Sequence, residues 1–137
     1  MRVARFWQQA TDMSRSALIV SSDSSHAGAL EVELARLGYA TRHTGTAETA
    51  FAAITEQRPD VVIVSLVLPR MGGLLFAARL RSDRQVREVI RIAMTPLASS
   101  AVRDVAREAG FLDCLDETQP PGQLAAAIDA AFKEGTV

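Results

Sequence analysis

Short apolar runs alternate with longer segments of helical period along most of this chain. A continuous apolar run of about four to eight residues is typical of a strand covered on both faces of a parallel sheet, whereas hydrophobic residues every three or four positions indicate an amphipathic helix. Five such strands alternating with five helices predict an α/β fold, a doubly wound parallel sheet with helices on both faces. The predicted strands are Ala17–Val20, Tyr39–Thr44, Val61–Val64, Val89–Met94 and Asp113–Leu115.

The helical segments are predicted from their apolar stripes and from their ends. Ser24 or Ser25 is available as the N-cap of the first helix and Thr46 as that of the second, while Gly38 and Gly110 are placed to stop the first and the fourth. The third helix is predicted over 74–81, and the stripes of the others are Ala27, Leu30, Leu34 and Leu37; Ala47, Ala50, Phe51 and Ile54; Val102, Val105, Ala106 and Ala109; and Leu124, Ile128, Ala131 and Phe132.

A length of 137 residues suits one domain, which is predicted over residues 17–134. Residues 1–16 form an N-terminal extension. Its apolar residues fall at the i, i+3, i+4 and i+7 spacing of a short amphipathic helix that could dock on this domain or on a partner, and they are Val3, Phe6, Trp7 and Ala10. The alternative is that Met13 is the true start of the protein.

Charge and cysteine content exclude several classes of function. The net charge of −1 gives no field that would attract nucleic acid or an anionic membrane. Cys114 is the only cysteine, so an intramolecular disulfide is excluded, and a cytoplasmic location is expected. Lys133 is the only lysine among fifteen basic residues, which excludes chemistry that needs a lysine earlier in the chain.

In a doubly wound sheet, ligands bind beyond the carboxyl ends of the strands. The loops there are 21–26, 65–73, 95–99 and 115–121. At these loops the sequence resembles the receiver domain of two-component response regulators: Pro59–Gly73 is similar to the family's third strand and its Leu-Pro-x-Met-x-Gly turn, and Ile92–Thr95 is similar to the fourth strand with its switch threonine. The resemblance implies a flavodoxin-like sheet of order 2-1-3-4-5.

Several positions depart from what the family needs for phosphoryl transfer. Receivers hold magnesium with an acidic pair after the first strand, where this chain has Ser21 and Ser22, and accept phosphate on an aspartate after the third strand, where it has Ser65. The family's lysine after the fifth strand corresponds to Glu117. Cys114 stands where the family often carries a switch aromatic that couples to the threonine, here Thr95.

The resemblance and these departures together predict a stand-alone, degenerate receiver that signals through protein–protein contact, without aspartyl phosphorylation. It is expected to be neither an enzyme nor a cofactor or metal carrier. No output domain is expected, because the chain ends a few residues after the fifth helix. Asp23, the remaining acid of the first loop, is interpreted as a helix cap and, less favoured, as a weak ligand.

The expected partners are proteins: a histidine kinase, another regulator, an output protein or a second copy of this chain. In receivers the surface of the fourth helix, fifth strand and fifth helix is the usual contact face. The candidate contacts are Arg103, Asp104, Arg107 and Glu108, which lie opposite the apolar stripe of the fourth helix. Leu75 and Ala78, which the match places outward on the third helix, are a weaker candidate.

Three alternatives remain open from the sequence. A receiver could still respond at the altered pocket to pH through Glu117 or to a small ligand. The serine-rich first loop could bind a flavin phosphate, although the later loops supply no aromatic residues for the ring. Asp23, His26 and Ser65 could form a hydrolase triad, although no nucleophile elbow surrounds Ser65 and His26 is expected to face solvent. His43 is interpreted as an outward strand residue.

Overall fold

The computed structural model describes residues 15–69, 71–84, 86 and 88–135. Strands and helices alternate throughout this part of the chain. The strands are β1 Arg15–Val20, β2 Tyr39–Thr44, β3 Val61–Ser65, β4 Ile90–Thr95 and β5 Asp113–Asp116, and the helices are α1 Ser24–Arg36, α2 Ala47–Glu56, α3 Gly73–Ser82, α4 Ser100–Glu108 and α5 Pro121–Gly135. The N-terminal helix predicted from Val3 to Ala10 lies outside the described residues.

The five strands form one parallel sheet of order β2-β1-β3-β4-β5, which confirms the predicted topology. β3 lies at the centre, as its apolar sequence predicts, and all its residues are buried. The register pairs Val20 with Val64, Ser65 with Met94 and Thr95 with Asp116. The carboxyl ends of β1, β3, β4 and β5 therefore meet at one edge of the sheet.

Strand alternation divides the core between the two faces of the sheet. Leu18, Val62 and Val64 pack with α2, α3 and α4 on one face. Ile19 and Ile63 pack with α1 and α5 on the other. Within the described residues, no helix is long and apolar enough to cross a membrane.

Most predicted helix ends agree with the structure. Thr46 caps α2 by accepting a hydrogen bond from the Thr49 amide, and the glycines after α1 and α4 have positive φ angles, +94° at Gly38 and +103° at Gly110. These angles are strained for residues with a β-carbon, so glycine suits both stops.

Two residues of the predicted stripes are exposed. Val105 is 48% exposed because it lies about 100° around α4 from Ala106, the residue of that helix that is fully buried. Leu37 is 40% exposed because it is the C-cap of α1 and lies past the last buried turn. Both corrections concern the edge of a stripe, where spacing alone does not separate core from surface.

Candidate functional site at the carboxyl edge of the sheet

Four strands end in the same kind of turn at the carboxyl edge. In each, a side-chain oxygen at or just after the strand end accepts a hydrogen bond from the backbone amide two residues further on, a local arrangement that serine, threonine and aspartate favour. The donor–acceptor pairs are Asp23 N to Ser21 Oγ at 3.2 Å, Val67 N to Ser65 Oγ at 3.3 Å, Leu97 N to Thr95 Oγ1 at 3.3 Å, and Thr118 N to Asp116 Oδ1 at 2.8 Å.

The three hydroxyl groups of these turns are buried, although serine and threonine usually lie at the surface. Ser21, Ser65 and Thr95 are 2%, 3% and 5% exposed. Ser22, the other predicted pocket serine, is exposed. Three of the predicted pocket hydroxyls are therefore buried at this edge, whereas Ser22 is exposed to solvent.

Glu117, the residue after β5, contacts the ends of two strands and the start of a helix. Its carboxylate Oε1 accepts a hydrogen bond from Ser65 Oγ at 3.2 Å. Its backbone amide donates to the Thr95 carbonyl at 3.0 Å, and its own carbonyl lies 3.0 Å from His26 Nε2. Glu117 therefore contacts both Ser65 and Thr95, the former through its carboxylate and the latter through its backbone amide.

His26 does not face solvent, which corrects the sequence-based expectation. The ring is half-buried because the first turn of α1 lies against the segment that follows β5. A carbonyl can only accept, so the ring must carry a proton on Nε2 and donate it to Glu117. Nδ1 is buried and has no hydrogen-bond partner among the described residues. The sequence gives no sign of this contact, since the two residues lie 91 positions apart.

His43 makes a similar contact at the neighbouring strand. Its Nε2 lies 2.8 Å from the Ser21 carbonyl, so this ring also donates to the backbone at the carboxyl edge. Both histidines therefore hold main-chain carbonyls beside the pocket.

Asp23 is the N-cap of α1, and neither Ser24 nor Ser25 takes that position. Its Oδ1 accepts the His26 amide at 3.0 Å, whereas both serines are helical and exposed. The interpretation of Asp23 as a helix cap is therefore confirmed, and Ser24 and Ser25 were wrong as alternatives. Ser21 Oγ accepts the Asp23 amide and turns the chain just before the helix.

The family resemblance implies a magnesium site at this edge. The side chains present there do not suit that ion. Magnesium prefers several carboxylate oxygens and near-octahedral geometry. Here Ser21, Ser22 and Ser65 supply neutral hydroxyls, and the Asp23 carboxylate accepts a helix amide. Within the described ranges, no group of three or more histidine, cysteine, aspartate or glutamate side chains could hold a metal ion.

The hydrolase alternative requires an acid that contacts the ring of a histidine, and a hydroxyl that contacts the same ring. Asp23 contacts the backbone amide of His26 and not its ring, and the ring contacts the Glu117 carbonyl. Ser65 donates to the Glu117 carboxylate. These three side chains therefore do not form an acid–histidine–serine relay.

The two predicted switch positions are both buried on neighbouring strands. Cys114 is fully buried in β5, and this burial raises the pKa of its thiol, which keeps the group neutral. Thr95 directs its hydroxyl to the Leu97 amide, so it is part of the turn after β4.

The candidate contact face on α4 is open to solvent. All four predicted residues are exposed, and Arg107 pairs with Asp113 of β5 at 3.5 Å. Leu75 and Ala78 of α3 are also exposed, as predicted. The four predicted residues are Arg103, Asp104, Arg107 and Glu108.

Sequence reasoning missed one apolar feature of the edge. Val67 and Leu97 are the most exposed large hydrophobic residues of the described chain, at 62% and 71%. Each lies two residues after a buried hydroxyl, Ser65 or Thr95, and donates its amide to it. A hydrophobic residue two positions after a polar strand end is the signal that could have located them.

Comparison with known proteins identifies relatives of the chain over nearly its whole length. Residues 17–129 match the response regulator receiver domain. The DNA-binding response regulator MtrA of Mycobacterium leprae is 31% identical over 121 residues, which cover 88% of this chain and 52% of the relative. The chain thus spans about half the length of the curated relatives it matches.

Solved structures give the same fold. A response regulator from Chloroflexus aurantiacus superposes with a TM-score of 0.79 at 25% identity, covering 87% of this chain and 98% of that one. The chemotaxis response regulator CheY4 of Vibrio cholerae has a TM-score of 0.79 at 20% identity, with 85% and 98% covered.

Proposed function

This chain belongs to the response regulator receiver domain family. We propose that it signals, as a member of that family, through contact with other proteins, and that this signalling does not depend on aspartyl phosphorylation. We assign the chain no enzymatic step and no cofactor. Action as a stand-alone unit stays a prediction, as does the role of residues 1–16.

The contact between Ser65 and Glu117 carries the proposal. A serine hydroxyl is not ionised at neutral pH and needs a base to attack phosphorus, whereas an aspartate is already a nucleophile. The Glu117 carboxylate, 3.2 Å from that hydroxyl, would repel an incoming phosphoryl dianion. Both features oppose phosphorylation at this edge.

The proposed contact face is α4 with β5. Arg103, Asp104, Arg107 and Glu108 present both signs of charge on an exposed surface, which favours a protein partner over nucleic acid. The DNA-binding activity in the names of the MtrA relatives belongs to those proteins. The partner is proposed to be a kinase, another regulator, an output protein or a second copy of this chain.

The proposal is tested by NMR titration of the wild-type chain with magnesium and beryllofluoride, a mimic of the phosphoryl group. We expect no saturable shift at Ser65, Thr95 or Glu117, because the donor set suits neither the cation nor the anion. Shifts centred on these residues would contradict phosphorylation-independent action.

A matched variant shows that the assay can detect binding. Ser22→Asp, Ser65→Asp and Glu117→Lys together supply acids and a lysine, and we expect this triple variant to bind magnesium and to be labelled by acetyl phosphate. If Ser65→Asp alone were labelled as strongly, the remaining pocket residues would oppose phosphorylation less than proposed.

A further inference from the structure

We infer that His26 is a positioning residue for Glu117, and that Glu117 thereby serves as a built-in anion that closes the pocket from within. The inference rests on the proposed function, because a carboxylate held against Ser65 would repel an incoming phosphoryl group. We call the two hydrogen bonds that join His26, Glu117 and Ser65 the Glu117 clamp.

Three contacts fix Glu117, and each comes from a different element. Thr95 at the end of β4 holds the backbone amide, His26 of α1 holds the backbone carbonyl, and Ser65 at the end of β3 holds the carboxylate. Because both the amide and the carbonyl of Glu117 are hydrogen-bonded, the position of its Cα is fixed. The carboxylate can then meet the Ser65 hydroxyl without the entropy cost of ordering a free loop.

Ser65 transmits the clamp to the next loop. Its hydroxyl accepts from the Val67 amide at 3.3 Å and donates to Glu117 at 3.2 Å, so a single buried oxygen links the β3–α3 turn to the end of β5. Hydrogen bonds to a charged acceptor are stronger than neutral ones, and those in series reinforce one another. The charge of Glu117 is therefore expected to affect the Val67 amide.

His26 is favoured as the positioning residue because its half-buried ring has a single polar contact among the described residues. Nε2 lies within hydrogen-bond distance of the Glu117 carbonyl, and Nδ1 has no partner among the described residues. The one hydrogen bond that the ring makes there is therefore to Glu117. His43 provides a matched control, since it donates to the Ser21 carbonyl at the same edge but does not contact Glu117.

The first test needs no substitution. Long-range ¹⁵N NMR of the wild-type protein at pH 8, above the ordinary imidazole pKa, reports which ring nitrogen carries the proton. The inference requires the Nε2–H tautomer at His26. An Nδ1–H tautomer would overturn it.

The second test compares amide exchange and amide chemical shifts in folded variants. His26→Ala is expected to speed exchange of the Glu117 amide about tenfold, because one hydrogen bond that holds Glu117 is lost. It should also move the Val67 amide shift in the direction seen in Glu117→Gln, and the double variant should move it no further. His26→Gln, which keeps an N–H donor, should recover part of the effect, whereas His43→Ala should leave both signals unchanged.

Equal effects of His26→Ala and His43→Ala would mean that both rings merely support the fold, which overturns the positioning role. If His26→Ala does not fold, Ser65→Ala offers a smaller change. That variant should speed Glu117 amide exchange, while Ser22→Ala at the exposed neighbour should not. An unchanged Glu117 amide in Ser65→Ala would overturn the clamp.

A third test examines the carboxylate as a built-in anion. Glu117→Ala removes it, and added formate, a small carboxylate, is expected to give saturable shifts at Ser65 and Val67 that the wild type lacks. Identical responses of the two proteins would overturn this part. A wild type that binds beryllofluoride would instead defeat the proposed function, so the two failures are distinguishable.

Discussion

Asp23 shows how a single residue sets the start of a helix at the functional edge. Its carboxylate accepts the amide of His26, and the same residue presents the His26 ring to Glu117 by starting α1 in the correct register. The two serines that follow are good N-cap residues by type, but they already lie inside the helix. Position in the turn after β1, and not residue type, decides the cap.

Substitution of Asp23 tests this assignment. Asp23→Ala is expected to lower the free energy of unfolding by about 1 kcal/mol, because the His26 amide loses its acceptor. Ser24→Ala and Ser25→Ala, in exposed helical positions, are expected to change it by less than about 0.5 kcal/mol. Urea denaturation followed by circular dichroism measures all three. A cost for Ser24→Ala equal to that of Asp23→Ala would return the cap to the serine.

At the scale of elements, the start of α3 lies directly against the end of β3. A β-carbon on Gly73 would lie 2.9 Å from both the Leu66 Cα and the Ser65 carbonyl oxygen, and both atoms belong to the backbone. Residue 73 must therefore be glycine for α3 to begin directly against the end of β3. That close approach holds the backbone of Ser65 in place.

Two glycine substitutions separate this packing requirement from helix propensity. Gly73→Ala is expected to lower the free energy of unfolding by about 1 to 3 kcal/mol, because the added methyl group meets backbone that cannot move aside. Gly28→Ala in α1, where a β-carbon meets nothing within 4 Å, is expected to raise it by about 0.5 to 1 kcal/mol. Thermal and urea unfolding measure both. A neutral Gly73→Ala would show that α3 lies less tightly against the end of β3 than the structure indicates.

The sequence predicts elements better than it predicts contacts between them. Continuous apolar runs locate β1 and β3, since a strand buried on both faces must be apolar throughout. The prediction that Val105 belongs to the buried stripe of α4 was wrong, because spacing alone does not define the edge of a stripe. The contact of His26 with Glu117 depends on how α1 and β5 pack, which no local pattern encodes. The meeting of Ser65 with Glu117 followed from the topology, because parallel strands end at one edge.

At the scale of the whole molecule, Asp129 joins α5 to the first two strands. Its Oδ1 accepts from the Tyr39 hydroxyl at 2.8 Å and lies 3.2 Å from Arg15 Nη1, while its Oδ2 lies 3.0 Å from Lys133 Nζ. Lys133, the only lysine of the chain, therefore pairs with Asp129 on α5, and it lies far from the pocket residues in sequence. Tyr39 and Arg15 belong to neighbouring strands, so one carboxylate on α5 bridges three elements.

These contacts determine how stability depends on pH. Burial alone would raise the pKa of the Asp129 carboxyl, but the hydrogen bonds from Tyr39 and Lys133, with the charges of Lys133 and Arg15, outweigh it and lower the pKa below its ordinary value of 3.8. A carboxyl with a lowered pKa in the folded state stabilises the fold when ionised. Its contribution is complete above the unfolded-state pKa and is lost as the pH falls through the folded-state pKa.

Asp129→Asn is therefore expected to lower the free energy of unfolding by about 1 to 2 kcal/mol at pH 7, because Arg15 and Lys133 lose their charged partner while Tyr39 keeps an acceptor. The difference from the wild type should shrink below about pH 4 and vanish once the wild-type carboxyl is protonated in both states. Urea titrations at pH 7, 5, 4 and 3 measure it. Asp104→Asn, on the exposed face of α4, serves as the control and should show a small difference with no such trend. A difference for Asp129→Asn that stayed constant down to pH 3 would mean that the Tyr39 hydrogen bond, and not the charge, holds α5 against the sheet.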